Sequence, residues 1–143
     1  MWHIGILEDN DRRLTEMLTT LHELIPESVA TCYPDAHEFI EWLNSNISTL
    51  ALLCLDHDLV PPESSPKHDP GDGRDVVRWL VGQSIQIPVL IHTSNGRAGI
   101  QMETTLLDAG WKAYWTPPDN DLAWIRKAWI QRVREMLLRE RET

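Results

Sequence analysis

The apolar stretch "LALLCLD", residues 50–56, decides the fold, and it ends in a carboxylate. A short, continuous apolar run of this kind is typical of a strand in a parallel sheet that helices cover on both faces. His57 and Asp58 follow at once, so three ionisable side chains stand where the strand ends. Buried charges are costly unless they are paired or bind a metal. The stretch therefore predicts either a strand end that reaches water or the edge of a functional site.

Strand and helix patterns alternate on both sides of this stretch. Strands are predicted over residues 2–7, 28–33, 50–56, 87–94 and 111–115. Helices are predicted over residues 9–25, 34–45, 73–83, 96–110 and 121–141, from apolar side chains at helical spacing. The alternation predicts an α/β fold, a doubly wound (βα)5 sandwich of flavodoxin-like layout around a central parallel five-stranded sheet. Because no linker or repeat interrupts it, we expect residues 1–143 to form a single domain.

Charge is unevenly distributed along the chain. Residues 1–123 hold 7 Lys/Arg and 19 Asp/Glu, a net charge of −12, whereas residues 124–143 hold 6 and 3, a net charge of +3. The acidic part is a poor non-specific binder of nucleic acid. Interleaved Arg and Glu favour a solvated face for the helix at 121–141. The alternative is that this helix contacts an acidic partner protein or a phosphate backbone.

The sequence favours a cytoplasmic protein. No apolar run is long enough to cross a bilayer, so we expect no membrane segment. The start lacks the basic region of a signal peptide. Cys32 and Cys54 lie in strand-like segments, and we expect both to be reduced thiols.

Acidic side chains follow the first and third predicted strands. In open parallel sheets, ligands bind outside the carboxyl ends of the strands. Glu8, Asp9 and Asp56 could therefore share a hard divalent cation, Mg²⁺ or Mn²⁺, which prefers oxygen ligands. Without a cation the carboxylates would repel one another, and one would tend to hold its proton. The alternative is that Asp9 only caps a helix and Glu8 is solvated.

His57 and His92 follow the neighbouring third and fourth strands. Imidazole titrates near neutral pH and can give or take a proton in phosphoester chemistry. Asp58 could orient a histidine. The alternative for each histidine is an ordinary polar residue at a strand end. The two together, beside Asp58 and Thr93, favour a functional pair.

These positions resemble the receiver domain of two-component signalling. In that family an acidic pair and an aspartate hold Mg²⁺, and the aspartate accepts a phosphoryl group. By this resemblance, Glu8 and Asp9 are the acidic pair and Asp56 is the aspartate. Thr93 matches the threonine that closes the fourth strand. Receivers also carry a lysine before a proline at the end of the fifth strand, where this chain has Thr116. A phosphorylated Asp56 would lack that cationic partner.

A narrower resemblance rests on four stretches of the sequence. They are "ILEDN" (6–10), "LDHDL" (55–59), "GRDVVRWL" (73–80) and "IHTSNGRAGIQMETTLLDAGW" (91–111). Together they are similar to the cyclic-phosphate-processing receiver family, a bacterial receiver-like group. The resemblance implies a phosphoesterase that acts on cyclic phosphates, such as the 2′,3′-cyclic phosphates of nucleotides or of RNA ends in RNA repair. The implied partner is a phosphorylated small molecule or an RNA end.

The same resemblance implies a role for each site residue. It implies metal ligation by Glu8, Asp9 and Asp56, catalysis by Asp56, His57, Asp58 and His92, and phosphate binding by Thr93, Ser94 and Asn95. The alternative is a signalling module, either one that accepts a phosphoryl group on Asp56 or one that only binds a partner.

Overall fold

The fold is an alternating series of strands and helices. It is described by a computed structural model for residues 1–119 and 121–142. The strands are β1 (Trp2–Leu7), β2 (Ser28–Tyr33), β3 (Leu52–Leu55), β4 (Val89–Ile91) and β5 (Ala113–Trp115). The α-helices are α1 (Asp11–Leu24), α2 (Ala36–Asn46), α3 (Gly73–Val81), α4 (Gly96–Asp108) and α5 (Ile130–Glu142). A 3₁₀ turn (Ile47–Thr49) follows α2, and a π-helical turn (Ile125–Trp129) leads into α5.

The five strands form one parallel sheet with the order β2-β1-β3-β4-β5. One face packs against α1 and α5 through side chains such as Met17 and Val133. The other face packs against α2, α3 and α4 through side chains such as Phe39, Val76 and Met102. The predicted doubly wound (βα)5 sandwich is therefore confirmed. The strand order changes direction between β1 and β3, which is where ligands bind in such sheets.

Side chains along the strands alternate between these two layers. In β3, Leu52 and Cys54 belong to the α1/α5 layer, whereas Leu53 and Leu55 belong to the opposite layer. The period of two residues is a property of every β-strand. It also decides which face receives the side chains that follow each strand.

The bounds predicted for the strands and helices agree best with the observed ones at the start of the chain. β1 and β2 have the predicted bounds, whereas β3, β4 and β5 are shorter than predicted. Asp9 does not cap α1, because the Asn10 side chain accepts the hydrogen bond from the Arg13 amide. The helix predicted over 121–141 begins later, at the π-helical turn.

The basic residues near the carboxyl end mostly contact this chain itself. Arg126 pairs with Glu16 and Glu23 of α1. Arg132 and Arg139 both lie over the ring of Tyr114 in β5. These contacts favour the interpretation of the last helix as a solvated, internally paired face.

Two further sequence expectations concern the thiols and the membrane. Cys32 and Cys54 are free thiols, and burial raises the pKa of Cys32 to about 11. Among the residues that the structure describes, no helix combines the length and the apolar character needed to cross a bilayer.

Candidate functional site

Three ionisable side chains meet beyond the ends of the central strands. Glu8, Asp56 and His92 each follow the last residue of β1, β3 or β4. Strand alternation directs all three toward the α1/α5 layer, and one ligand atom from each lies within 4.8 Å of the others. Their exposed fractions are 1%, 3% and 0%. We call these three residues the acidic centre.

Hydrogen bonds hold the acidic centre in place. His92 Nε2 lies 3.2 Å from Glu8 Oε1. The Asn10 amide donates to Glu8 Oε2 at 3.0 Å, and the His57 amide donates to Asp56 Oδ1 at 2.8 Å. The ring of Trp124 stacks on His92 with centroids 6.3 Å apart. The carboxylates are thus oriented by backbone donors before any ligand binds.

Arg13, from the first turn of α1, joins the two carboxylates. Its Nη2 lies 3.2 Å from Glu8 Oε2 and 3.1 Å from Asp56 Oδ2. The sequence interpretation did not find this residue. The available signal was its position one helical turn beyond the acidic pair, where a long side chain can reach back to the sheet edge.

The two carboxyl groups have opposite pKa shifts. Burial raises the pKa of Glu8, but the His92 hydrogen bond and charge, the Asn10 amide and Arg13 outweigh burial and lower it to about 2. For Asp56, burial raises the pKa to about 7; His92 and Arg13 oppose this rise, and the charge of Glu8 adds to it. The metal-free pair therefore holds a proton on Asp56 near neutral pH, as expected for crowded carboxylates.

Asp9 lies beside the acidic centre but does not join it. Its Oδ2 accepts a hydrogen bond from the Val60 amide at 2.7 Å. Among the described residues, the group with metal-ligand spacing contains Glu8, Asp56 and His92 and leaves Asp9 out. The long loop after β3 thus holds one oxygen of Asp9, and burial and the neighbouring carboxyl of Glu8 raise the pKa of Asp9. Metal ligation by Asp9 therefore stays a prediction, whereas His92 lies at ligand spacing from Glu8 and Asp56.

His57 lies on the opposite face of the sheet from His92. Its Nδ1 is 2.8 Å from Asp58 Oδ1, and its Nε2 is 3.6 Å from Asp72 Oδ2 at the start of α3. Within the described part of the chain, this buried Nε2 has no hydrogen-bond partner. The expected histidine pair is therefore split, because Asp56 and His57 are consecutive residues and must face opposite ways.

A glycine lets α3 approach this strand end closely. The Gly73 amide donates to the His57 carbonyl at 3.0 Å. A Cβ at Gly73 would lie 2.2 Å from the Asp56 carbonyl oxygen, which is closer than any side chain allows. The beginning of α3 is thus fixed beside His57.

The residues that follow β4 lie near His57, beyond the carboxyl ends of the strands. Thr93 is buried, and its Oγ1 accepts a hydrogen bond from the Asn95 amide at 3.1 Å. Asn95 caps α4 through its Oδ1, and its Nδ2 lies 3.5 Å from Asp58 Oδ2. Ser94 is exposed. We call His57, Asp58, Asp72 and Asn95 the His57 group; Thr93 and Ser94 stand beside it.

The acidic centre has a donor set that fits a divalent cation. Two carboxylates and one imidazole nitrogen lie at ligand spacing, and the carboxylates need more positive charge than one guanidinium supplies. Carboxylates suit Mg²⁺ and Mn²⁺, and an imidazole ligand shifts the preference from Mg²⁺ toward Mn²⁺ or other transition metals. The residues present therefore fit the expected metal.

Comparison with known families identifies the class of protein. The chain matches the family described as "Cyclic-phosphate processing Receiver domain" over residues 4–108. The match spans more than half of the chain, so this protein belongs to that family. None of the curated proteins matches the chain.

Solved structures of receiver domains have the same fold. The phosphorylated cyanobacterial phytochrome response regulator RcpA gives a TM-score of 0.74 at 19% identity, over 96% of this chain and 94% of that chain. The Mn²⁺-bound response regulator Rcp1 gives 0.70 at 17% identity, over 94% and 93%. A chain of the CheX–CheY–BeF3–Mg²⁺ complex from Borrelia burgdorferi gives 0.65 at 17%, over 94% and 87%.

Proposed function

We propose that this protein is a metal-dependent phosphoesterase that opens cyclic phosphates, such as the 2′,3′-cyclic phosphates of nucleotides or RNA ends. The observation that carries this proposal is the acidic centre, which brings Glu8, Asp56 and His92 to metal-ligand spacing. The description of the family to which the chain belongs names cyclic-phosphate processing, which supports the same reaction class. We further propose that the protein acts in the cytoplasm.

The acidic centre would hold the metal, Mn²⁺ or Mg²⁺. A bound divalent cation acts as a Lewis acid that polarises a phosphoryl oxygen. Glu8 and Asp56 supply the charge that retains it, and His92 supplies the nitrogen ligand. Asp9, whose Oδ2 accepts the Val60 amide, lies beside these ligands.

His57 would move the proton. Asp58 fixes the imidazole at Nδ1, which leaves Nε2 to exchange a proton with the substrate or water. A water oxygen bonds to phosphorus while Nε2 takes one of its protons. The ring P–O bond breaks, and the leaving oxygen receives that proton from Nε2. One water is consumed, and a phosphate monoester is formed.

Asn95, Thr93 and Ser94 would contact the phosphate. They follow β4 at the same edge as His57, and Asn95 already lies near Asp58. A substrate lying across the Asp56–His57 backbone would face the metal on one side and the His57 group on the other. The opposite placement of the two histidines then gives them different roles.

Phosphorus NMR with 2′,3′-cyclic AMP tests this function. We expect Mn²⁺-dependent conversion of the cyclic signal to a monoester signal. Glu8→Gln should abolish conversion through the metal, and His57→Gln should abolish it while Mn²⁺ binding persists. His22→Gln, an exposed histidine on α1, is the matched control. Full turnover in both Glu8→Gln and His57→Gln would refute the mechanism.

A second candidate is a signalling module in which Asp56 accepts a phosphoryl group. The observation that favours it is the position of Asp56 directly after β3 in a fold shared with phosphorylated RcpA. The structure of CheX with CheY also shows that one of the neighbours binds another protein. In this case a protein partner would contact the helix predicted over 121–141.

Acetyl phosphate with Mg²⁺ separates the two candidates. A mass increase of one phosphoryl group that is lost in Asp56→Asn would support the signalling module. An unchanged mass, together with turnover of the cyclic nucleotide, would support the phosphoesterase.

A further inference from the structure

We propose that Arg13 is the protein's own cation at the acidic centre and that it exchanges roles when metal binds. Without metal it hydrogen-bonds both Glu8 and Asp56. Once a divalent cation takes those carboxylates, Arg13 turns to the phosphate of the substrate. The second half of this inference rests on the proposed function, whereas the first half concerns the metal-free protein.

The contacts of Arg13 make it a direct competitor for the metal ligands. Its Nη2 hydrogen-bonds Glu8 Oε2 and Asp56 Oδ2, and its Nε lies 3.1 Å from Glu8 Oε1. Asp56 Oδ1 already accepts the His57 amide. A metal that binds both carboxylates therefore needs oxygens that the guanidinium occupies.

Electrostatics also predicts that the two cations do not share the site. A guanidinium and a divalent ion within a few ångströms repel each other strongly in a buried environment. The two carboxylates together offer two negative charges, which one divalent ion balances completely. Arg13 then has no net negative charge left to hold it.

The position of Arg13 allows it to leave without moving the helix. Its side chain is 23% exposed, against 0% for Glu8 and 4% for Asp56, so it reaches inward from the surface. Its own backbone amide is held by the Asn10 cap at 3.0 Å. The side chain can therefore rotate outward while α1 stays in place.

An outward-turned Arg13 would meet a phosphate at the mouth of the site. A guanidinium presents paired donors that match phosphate oxygens. In the described residues, Arg13 is the arginine that pairs with both Glu8 and Asp56, whereas Thr116, which follows β5, carries no charge. The charge that would attract the phosphate thus comes from α1 and not from β5.

Titration calorimetry with Mn²⁺ tests the competition. We expect Arg13→Gln to bind Mn²⁺ about tenfold more tightly than the unchanged protein, which corresponds to about 1.4 kcal/mol. Arg12→Gln is the matched control, because Arg12 lies next in sequence and pairs with Asp121 at the surface, both side chains being 76% exposed. Equal or weaker Mn²⁺ binding by Arg13→Gln would overturn the inference, as would no binding by either protein.

Titration of the Mn²⁺-saturated proteins with inorganic phosphate tests the second role. We expect Arg13→Gln to bind phosphate about tenfold more weakly and Arg12→Gln to bind it normally. Arg13→Lys keeps the charge and should fall between them, and it replaces Arg13→Gln if that variant fails to fold. Unchanged phosphate affinity in Arg13→Gln and Arg13→Lys would overturn this role.

These binding measurements do not depend on turnover. If Arg13→Gln shows tighter Mn²⁺ and weaker phosphate binding but no cyclic nucleotide is opened, the inference on Arg13 stands and the proposed reaction fails. If the cyclic nucleotide is opened and Arg13→Gln binds both ligands normally, the reaction stands and the role of Arg13 fails.

Discussion

At the scale of single residues, burial and charge oppose each other most directly at Asp56. Its carboxyl is 3% exposed and lies beside the lower-pKa carboxyl of Glu8. The fold therefore favours the protonated form of Asp56 until another cation arrives.

The metal-free protein should become more stable when Asp56 is replaced by asparagine. The folded-state pKa of about 7 lies above the unfolded value of 3.8, so the stability linked to this group falls as pH rises from about 4 to 7. Asparagine resembles the protonated carboxyl and never ionises, so the variant does not carry the cost of a buried carboxylate at high pH. In EDTA at pH 8 we expect Asp56→Asn to gain about 1–3 kcal/mol in urea unfolding.

The pH dependence provides the control for this prediction. The advantage of Asp56→Asn should shrink as the pH falls toward 5, because the carboxyl of the unchanged protein then becomes protonated. Asp69→Asn, at an exposed loop position, should show no such gain. A variant less stable than the unchanged protein at pH 8 in EDTA would contradict the assigned direction of the Asp56 pKa.

At the scale of secondary-structure elements, the packing of α3 against β3 fixes the His57 side of the site. The first residue of α3, Gly73, is in backbone contact with both Asp56 and His57. The capping box of Asp72 and Asp75 holds the same turn. The site therefore depends on a close approach between one helix and one strand end.

Gly73→Ala should disrupt this approach. The added Cβ would lie 2.2 Å from the Asp56 carbonyl oxygen and 2.7 Å from Met102 Cε, so α3 must shift. We expect a loss of about 2 kcal/mol or more in urea unfolding. Gly82→Ala at the other end of α3 is the control, since the nearest atom to its Cβ is 3.5 Å away. Equal stability of the two variants would show that the start of α3 is not held closely.

Element-scale comparison also shows what the sequence could predict. The alternating pattern predicted β1 and β2 with their observed bounds, because apolar runs and turn residues mark them clearly. The same period of two predicts opposite directions for Asp56 and His57. The face of His92 depends on the register of β3 with β4, which pairs Leu55 with Ile91 and which the sequence does not give. The hydrogen bond from the Val60 amide to Asp9 could not be predicted, because it depends on the path of an irregular loop.

At the scale of the whole molecule, the acidic centre links the ends of the three middle strands of the sheet. Glu8, Asp56 and His92 come from β1, β3 and β4, which are adjacent strands far apart in sequence. Only the folded protein brings these three side chains together, so a ligand held by all three should bind only the folded state. Binding of such a ligand raises the free energy of unfolding by mass action.

Mn²⁺ should therefore raise the melting temperature. At a free concentration of 100 times Kd the gain is about 2.7 kcal/mol. For a chain of this size that corresponds to roughly 5–10 °C by calorimetry. Glu8→Gln should lose this shift, whereas His22→Gln should keep it. No shift at millimolar Mn²⁺ would contradict the assignment of the acidic centre as a metal site.

The hydrogen bond from the His57 amide to Asp56 Oδ1 has a spectroscopic consequence. The amide proton of His57 senses the charge on Asp56, because the amide nitrogen lies 2.8 Å from Asp56 Oδ1, and the side chain of His57 belongs to the opposite face. Its resonance in a nitrogen–proton correlation spectrum is therefore a built-in reporter for both faces of the sheet edge. Protonation, metal binding or phosphorylation at Asp56 would each move that one peak, with no label added to the protein.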